Sequence, residues 1–257
     1  MIVILSPAKI FKDYDETSLI SYHPLTYHEQ TLKLVERLQG YEVSELEKMM
    51  KVSTEIAQLN KERYSNFGRR VQKGYHAADY FYGEAFKALD APSLSEKARD
   101  FMKEHVHILS GLYGCIGALD VILPYRLEMG TKFSGDKKDT LYTLWKPLLT
   151  EHMLRKLEET KGEKVLINLA SEEYSKAIDL KKIAKSYPVV NMHFKVKKND
   201  EYKVVGMYAK KARGLMARAI CEAQIQTVEE LKQFNKEGYS YHEELSTPTD
   251  FVFVLEN

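Results

Sequence analysis

Short apolar runs of strand length recur along this chain between longer stretches with helical periodicity. Ile2–Leu5 precedes Ser6-Pro7 and predicts a buried strand, because four residues are too few for a helix and a residue before proline avoids the helical region. Lys164–Leu169 predicts another buried strand. Ala209–Ala223 has apolar residues at three- and four-residue spacing, which predicts a helix. The interspersion predicts an α/β fold with a mixed β-sheet flanked by helices.

Composition narrows the class of protein further. A hydrophobic fraction of 44% and a charged fraction of 29% exclude intrinsic disorder. No apolar run approaches the roughly 20 residues that span a membrane, and the first residues lack the pattern of a secretory signal. Two cysteines, Cys115 and Cys221, indicate a reducing compartment. We therefore expect a single cytoplasmic domain over residues 1–257, without membrane contact.

Several segments predict individual elements within this domain. Tyr27–Phe67 is helical in pattern, with a capping box at Ser44–Glu47 that opens a new helix. Leu141–Glu159 predicts a helix in which Pro147 marks a break or a fresh first turn. The aromatic run Tyr75–Tyr82 predicts a strand. A strand pair, Val189–Val196 with Tyr202–Tyr208, predicts a hairpin.

Charge is balanced overall but not locally. The net charge is +1, whereas Lys195–Arg213 carries a local +5. If the following helix begins at Ala209, its first turn holds cations where the helix dipole favours anions. Such an arrangement suits a bound phosphate. The alternative is neutralisation by carboxylates from elsewhere in the fold. The cations concerned are Lys210, Lys211 and Arg213.

A second candidate is the glycine pair in the segment Leu109–Ile116. The spacing Gly-x-x-Gly between apolar residues resembles the hairpin of a helix-hairpin-helix element, in which backbone amides approach a DNA phosphate. The same spacing also describes an ordinary turn. On the first interpretation the phosphate-binding residues are Gly111, Leu112, Tyr113 and Gly114.

Polar residues at predicted strand ends and loops form a third group. If they converge in one cleft, Glu128 or Glu172 could act with Lys9 in acid–base catalysis, and other members could anchor a phosphate. Plain structural alternatives are an Arg126–Glu128 ion pair and a helix cap at Ser171. The candidate cleft residues are Ser6, Lys9, Tyr125, Arg126, Glu128, Asn168, Ser171 and Glu172.

Signatures of common catalytic and cofactor sites are missing from the sequence. It contains no Gly-x-Ser-x-Gly, no P-loop and no dinucleotide-binding glycine motif. His105 and His107 alternate on a predicted strand and precede Cys115, which gives half of a metal site without a second cluster. We therefore predict no metal and no cofactor, and the sequence leaves enzymatic activity uncertain, with a non-enzymatic role favoured.

Five short motifs occur in an order and spacing typical of one family. They are Ser6-Pro7-Ala8-Lys9, Leu109–Gly114, Pro124–Gly130, Asn168–Tyr174 and Tyr208–Gly214. In these motifs the chain resembles the bacterial YaaA family of peroxide stress resistance proteins. It departs from the family pattern at Gly117-Ala118, where Arg-Pro is common, at Ile10, where Thr is usual, and at Lys146, where Gly is usual.

The resemblance implies a function in the response to hydrogen peroxide. It implies a cytoplasmic protein that protects DNA and keeps intracellular free iron low during oxidative stress. It also implies a positively charged cleft and a helix-hairpin-helix element that binds duplex or branched DNA. The leading hypothesis is therefore DNA binding through phosphates rather than base sequence. The alternative is an enzyme that acts on a nucleotide or a damaged base, for which the polar residues would have to converge in one pocket.

Overall fold

The computed structural model describes residues 1–13, 19–68, 72–133, 140–199 and 201–256. Its strands in chain order are β1 (Ile2–Leu5), β2 (Ile20–Ser21), β3 (Lys73–His76), β4 (Val106–Ser110), β5 (Gly114–Gly117), β6 (Val121–Ile122), β7 (Leu166–Asn168), β8 (Val189–Lys198), β9 (Glu201–Lys203), β10 (Tyr239–Tyr241) and β11 (Asp250–Leu255). Its α-helices are α1 (His28–Gln39), α2 (Val43–Met50), α3 (Thr54–Asn66), α4 (Ala77–Tyr80), α5 (Glu84–Leu89), α6 (Glu96–His105), α7 (Leu141–Glu159), α8 (Glu172–Ser175), α9 (Leu180–Ile183), α10 (Gly206–Ala223) and α11 (Val228–Leu231).

Eight strands form the main sheet, and β1 lies in its interior. The order across the sheet is β10-β11-β8-β7-β1-β4-β5, with β9 paired to β8. The five strands from β11 to β4 are mutually parallel, and β5, β9 and β10 are antiparallel to their partners. Numbered along the chain, the parallel strands have the doubly wound order 2-1-3-4-5, which reverses between β1 and β7. Ligands of such sheets bind outside the carboxyl ends of the strands at this reversal.

The hydrophobic core explains why β1 reads as an uninterrupted apolar run. Every residue of β1 is buried, as are the three residues of β7 and the five of β4. Parallel strands with helices on both faces have no solvent-facing side, so alternation with polar residues is lost. The α/β class with a mixed sheet flanked by helices is confirmed. No helix among the described residues combines the length and the apolar character needed to cross a membrane.

Three local predictions need correction. Tyr27–Phe67 contains three helices, and the capping box of α2 is formed by Glu42 and Glu45, so that helix begins one residue before Ser44. The helix α7 continues through Pro147 without a break. The run Tyr75–Tyr82 is a strand only as far as His76. After His76 the backbone turns into α4. The turn is held by hydrogen bonds from the Ala77 amide to the Asp120 carbonyl and from the Ala78 amide to the Ala118 carbonyl.

Two predictions about hairpins have different outcomes. The β8–β9 hairpin is confirmed, although β9 ends at Lys203 and the chain enters α10 at Gly206. The interpretation of Leu109–Ile116 as the hairpin of a helix-hairpin-helix element is wrong. Leu109–Ile116 is part of a β-hairpin in which Ser110 pairs with Gly114 and Leu109 with Cys115. The tight glycine-containing turn therefore joins two strands of the main sheet instead of two helices.

Candidate functional site

The carboxyl ends of β1 and β7 are joined by a pair of serines. The backbone N–H of Ser171 donates to Ser6 Oγ at 2.8 Å, and Ser6 Oγ donates to Ser171 Oγ at 3.1 Å. Ser171 is the N-cap residue of α8, but its hydroxyl makes no capping hydrogen bond. The two loops that follow β1 and β7 are thereby fixed to each other at the point where the strand order reverses.

An ion cluster lies beside this serine pair. Glu128 Oε2 is 2.6 Å from Lys9 Nζ, and Glu128 Oε1 is 2.9 Å from Arg126 Nη2. The Lys9 side chain is 57% exposed, whereas those of Glu128 and Arg126 are 24% and 16% exposed. The predicted Arg126–Glu128 pair is confirmed, and Lys9 extends it. One carboxylate between two cations leaves a net charge of +1, which suits an anionic ligand.

Arg126 keeps one donor unused within the described part of the chain. Its Nε is buried and has no hydrogen-bond partner there. The backbone of the same residue is held by the hydroxyl of Tyr64, which donates to the Arg126 carbonyl. A buried N–H without an acceptor carries a desolvation cost, and an oxyanion beside it would remove that cost.

Tyr174 brings α8 against the same cluster. Burial, together with the neighbouring Tyr125, Glu173 and Glu128, raises the pKa of Tyr174 well above its ordinary value. The phenol therefore stays protonated and can donate a hydrogen bond at neutral pH. We call Ser6, Lys9, Arg126, Glu128, Ser171 and Tyr174 the carboxyl-edge cluster.

Tyr125, which directly precedes Arg126 in the chain, connects this cluster to the glycine-containing hairpin. Ser110 Oγ and the Tyr125 hydroxyl are 2.7 Å apart, and Ser110 Oγ also accepts hydrogen bonds from the amides of Leu112 and Tyr113 at 3.2 and 2.9 Å. All residues of the turn are buried. The burial of the turn and the internal bonds of the Leu112 and Tyr113 amides disfavour the predicted contact of Gly111, Leu112, Tyr113 and Gly114 with phosphate, which stays a prediction.

The two glycines of the turn are required for packing. A Cβ on Gly111 would lie 2.3 Å from the Leu127 carbonyl oxygen. Gly114 has φ +76°, and a Cβ there would lie 2.6 Å from the Trp145 ring. The alternative of an ordinary turn accounts for both glycines without a ligand.

The cations of α10 occupy positions different from those predicted. The helix begins at Gly206, so Lys210 and Lys211 lie in its second turn, beyond the free amides of the first turn. Lys211 Nζ is 2.7 Å from Glu237 Oε2, which is the neutralisation that the sequence left open. The argument from the helix dipole is therefore wrong, although Lys210 remains exposed.

Arg213 is largely buried and resembles Arg126 in one respect. Its Nε is buried without a hydrogen-bond partner among the described residues, and burial lowers the pKa of its guanidinium. The helix α5 connects this part of α10 to the loop after β1. A Cβ on Gly83 would lie 3.0 Å from Ala8 Cβ, and one on Gly214 would lie 1.9 Å from the Ala85 carbonyl oxygen. The backbone next to Arg213 is therefore connected through α5 to the loop that contains Lys9.

Two other predicted residues do not join the cluster. The Glu172 side chain is 82% exposed and bonds to Lys176, which lowers the pKa of Glu172. It is therefore excluded as a partner of Lys9. Asn168 is buried and structural, since it accepts from the Ala170 amide and donates to Asn191 Oδ1 at 2.9 Å.

Sequence reasoning missed a polar chain that continues from Asn168. Asn191 Nδ2 donates to Asp250 Oδ1 at 3.2 Å, and His193 Nε2 lies 2.9 Å from the same oxygen. Burial alone would raise the pKa of Asp250, but the hydrogen bonds from His193, Thr249 and Asn191 outweigh it and lower that pKa. The sequence signal was the pair of polar residues Asn191 and His193 within the strand-like run Val189–Val196.

The two histidines that were considered as half of a metal site lie on different elements. His105 is the last residue of α6 instead of a strand residue, and its Nδ1 lies 2.7 Å from the Met1 carbonyl oxygen. Only His107 lies on β4 and faces the same side of the sheet as Cys115.

Comparison with known proteins agrees with the family resemblance that the sequence motifs indicate. The family model described as peroxide stress protein YaaA matches residues 1–245. The chain belongs to the YaaA family. Similar proteins include a UPF0246 protein of Legionella pneumophila strain Corby, 38% identical over 99% of both chains. UPF0246 proteins of Clostridium botulinum strains Alaska E43 and Eklund 17B are 39% and 40% identical over the full length of both chains.

The structure locates two of the positions at which this chain departs from the YaaA family pattern. Gly117 donates its amide to Asp120 Oδ2 at 2.7 Å, and Ala118 is fully buried, so this position offers no surface cation. Lys146 lines a recess on α7 together with Thr150, Glu151 and Lys182. None of the residues that line this recess belongs to the carboxyl-edge cluster.

Proposed function

We propose that this YaaA-family protein acts in the peroxide stress response by binding the phosphate backbone of duplex or branched DNA in the cytoplasm. The proposed contact surface is the carboxyl edge of the sheet. It includes Lys9, Arg126, Lys210 and Arg213. Contacts made to phosphate position a protein on DNA without reading base sequence, so binding follows DNA shape.

The observation that carries this proposal is the pair of unused arginine donors. Arg126 and Arg213 come from distant motifs, and each has a buried Nε without a partner among the described residues. Guanidinium groups bind phosphate through several N–H groups in a fixed planar arrangement. Two such groups, together with the exposed Lys9 and Lys210, favour a ligand with repeated phosphates.

Glu128 is compatible with this proposal as a counter-charge. It holds Lys9 and Arg126 in place, and Lys9 is exposed enough to exchange its carboxylate partner for a phosphate. An exposed ion pair of this kind contributes about 0 to 1 kcal/mol, so the exchange is inexpensive.

Salt dependence of DNA binding tests the proposed surface. Each neutralised phosphate contributes about −0.9 to the slope of log affinity against log salt. The double variant Lys9→Ala/Lys210→Ala should therefore flatten the slope by about 1.8, measured by fluorescence anisotropy with two labelled duplexes of unrelated sequence. Both duplexes should respond equally.

Lys185→Ala is the matched control. Lys185 is also exposed but precedes β8, at the amino end of the parallel strands. Its removal should leave the slope unchanged. A slope that is unaffected in the double variant, or flattened as much by Lys185→Ala, would contradict the proposed surface.

An enzyme acting on a nucleotide is the second candidate, and one observation favours it. Glu128 lies between two cations beside the reversal of strand order, where α/β sheets place small ligands. Incubation of the protein with nucleotides and oxidised nucleotides, followed by mass spectrometry, would reveal turnover. Turnover lost in Glu128→Gln would support the enzyme, and unchanged nucleotides would exclude it for those substrates.

Control of intracellular free iron is proposed on the basis of the family resemblance. Cells lacking the protein should then contain more chelatable iron after peroxide treatment than cells that express it. Electron paramagnetic resonance of chelated iron in whole cells measures this quantity. Equal signals in the two strains would overturn the proposal.

A further inference from the structure

Three potential metal ligands meet in the interior between the β4–β5 hairpin and α7. They are His107 on β4, Cys115 on β5 and His152 on α7, and all three are buried. Their ligand atoms lie within 4.8 Å of one another. Cys115 pairs with Leu109, so His107 and Cys115 project from the same face of the hairpin. The rings of His107 and His152 pack edge to face with centroids 6.0 Å apart.

His107 provides an independent indication of a ligand. It is 5% exposed, and its Nε2 is buried without a hydrogen-bond partner among the described residues. A buried imidazole nitrogen without a partner is costly unless it binds a proton donor or a metal. Burial lowers the pKa of His107 to about 3 and that of His152 to about 4. Both rings are therefore neutral, as metal coordination requires.

We propose that His107, Cys115 and His152 bind one divalent cation of the zinc type. Two imidazoles and one thiolate suit Zn²⁺, whose bonds to nitrogen and sulfur are roughly 2.0 to 2.3 Å long. The ligand atoms need to approach by about 1 Å to reach such bonds, a movement within the range of side-chain rotation. Three protein ligands leave the fourth tetrahedral position to water.

Binding is coupled to the loss of one proton. The Cys115 thiol releases its proton to solvent as the metal–sulfur bond forms, and no electron transfer is involved. Burial raises the pKa of this thiol, as does the nearby Asp120, while Lys156 opposes them. The charged groups around the site are Lys156, Arg155 and Asp120. Cation and thiolate together add a single positive charge.

An exposed side chain contacts His152. Arg155 is exposed, and its Nη2 lies 3.4 Å from His152 Nδ1. Displacement of this flexible side chain would open His152 to water without unfolding α7.

Cobalt substitution tests the proposal on the reduced full-length protein after treatment with a chelator. Titration with Co²⁺ should saturate at one ion per chain and produce thiolate-to-cobalt charge-transfer absorption. Cys115→Ser should abolish this band, and His152→Gln should weaken binding at least about tenfold. Cys221→Ser is the matched control, because Cys221 is also a free, buried cysteine but lies on α10. It should leave the titration unchanged.

Thermal unfolding provides a second readout that does not depend on the spectrum. A hundredfold excess of free Zn²⁺ over its Kd should raise the melting temperature of the unsubstituted protein by about 5 to 10 °C. The rise should persist in Cys221→Ser, vanish in Cys115→Ser and be clearly smaller in His152→Gln. No charge-transfer band in the unsubstituted protein, a band that survives Cys115→Ser, or an equal rise in all variants would overturn the site.

Discussion

Glu128 determines how many positive charges the carboxyl-edge cluster presents. Its pairing with Arg126 could be predicted, because residues two apart share a face in an extended segment. Its contact with Lys9 could not, since Lys9 lies in a loop whose path depends on β1 and β7 meeting. The same limit applies to Glu172, which is adjacent to Ser171 in sequence yet points to solvent. Sequence motifs therefore identified the candidate residues. Only the tertiary structure showed which of them, such as Glu128, join the carboxyl-edge cluster and which, such as Glu172, do not.

Glu128→Gln should increase affinity for DNA. The substitution keeps the shape of the side chain but frees Lys9 and Arg126 for phosphate, and one additional contact steepens the salt slope by about 0.9. The melting temperature should fall only slightly, because partly exposed ion pairs contribute about 1 kcal/mol or less. Anisotropy and thermal unfolding measure the two effects.

Glu172→Gln is the control for this prediction. Glu172 is an exposed carboxylate paired with a single lysine, so its loss should change neither quantity. Loss of peroxide protection in Glu128→Gln, with DNA binding retained, would instead identify Glu128 as a catalytic residue.

The start of α10 shows how an element boundary can alter a functional argument. Its apolar face was evident from the spacing of Ala212, Met216 and Ile220, and those residues are buried. The position of its first turn was not evident from the sequence, because Val204 and Val205 extend the pattern of the preceding strand. A shift of three residues moved Lys210 out of the first turn and removed the dipole argument. Element boundaries depend on such local competition, whereas the identity of a long periodic helix does not.

Gly214→Ala should destabilise the packing of α10 on α5. The new methyl group would collide with the Ala85 carbonyl oxygen, and backbone cannot yield as a flexible side chain does. Overpacking costs about 1 to 3 kcal/mol, which lowers the melting temperature by roughly 2 to 12 °C for a chain of this size. Circular dichroism during heating measures the change.

Gly206→Ala on the same helix is the comparison. No atom lies within 4 Å of a Cβ built at Gly206, and alanine favours the helix. The melting temperature should remain equal or rise. Equal losses in the two variants would mean that contact with Ala85 does not limit the packing of α10.

At the scale of the whole molecule, the sequence predicted the α/β class but not the order of the strands. The apolar runs of β1 and β7 specify burial on both faces, which any central parallel strand would satisfy. Pairing partners lie far apart in the chain, so periodicity contains no information about them. The β4–β5 hairpin was misinterpreted for a related reason. Its glycines serve contacts with Leu127 and Trp145, which are distant in sequence.

The tyrosine-rich interior predicts a loss of stability in alkali. Burial raises the pKa of Tyr22 to about 12, and those of Tyr64, Tyr113 and Tyr125 still higher. In the unfolded chain these phenols ionise near pH 10. Above pH 10 the folded state then retains more protons than the unfolded state. The stability that these tyrosines contribute is therefore constant below pH 10 and falls as the pH rises above 10.

Tyrosinate absorbance against pH, recorded with circular dichroism, measures this effect. Part of the signal from the 17 tyrosines should appear only with loss of the native spectrum. In denaturant all of them should ionise together near pH 10. Complete ionisation near pH 10 with an intact native spectrum would contradict the burial of these groups.

The interior position of β1 has a consequence for synthesis on the ribosome. Ile2–Leu5 is made before the other described strands, yet it pairs with β4 through Val106 and with β7 through Leu166. This apolar segment therefore has no neighbour until β4 is made, and it lacks β7 until well over half of the chain is translated. Exposed strands of this kind aggregate readily, and such distant pairings slow folding. Nascent chains that stop before β7 would display one open side of β1, which makes them natural clients of ribosome-bound chaperones.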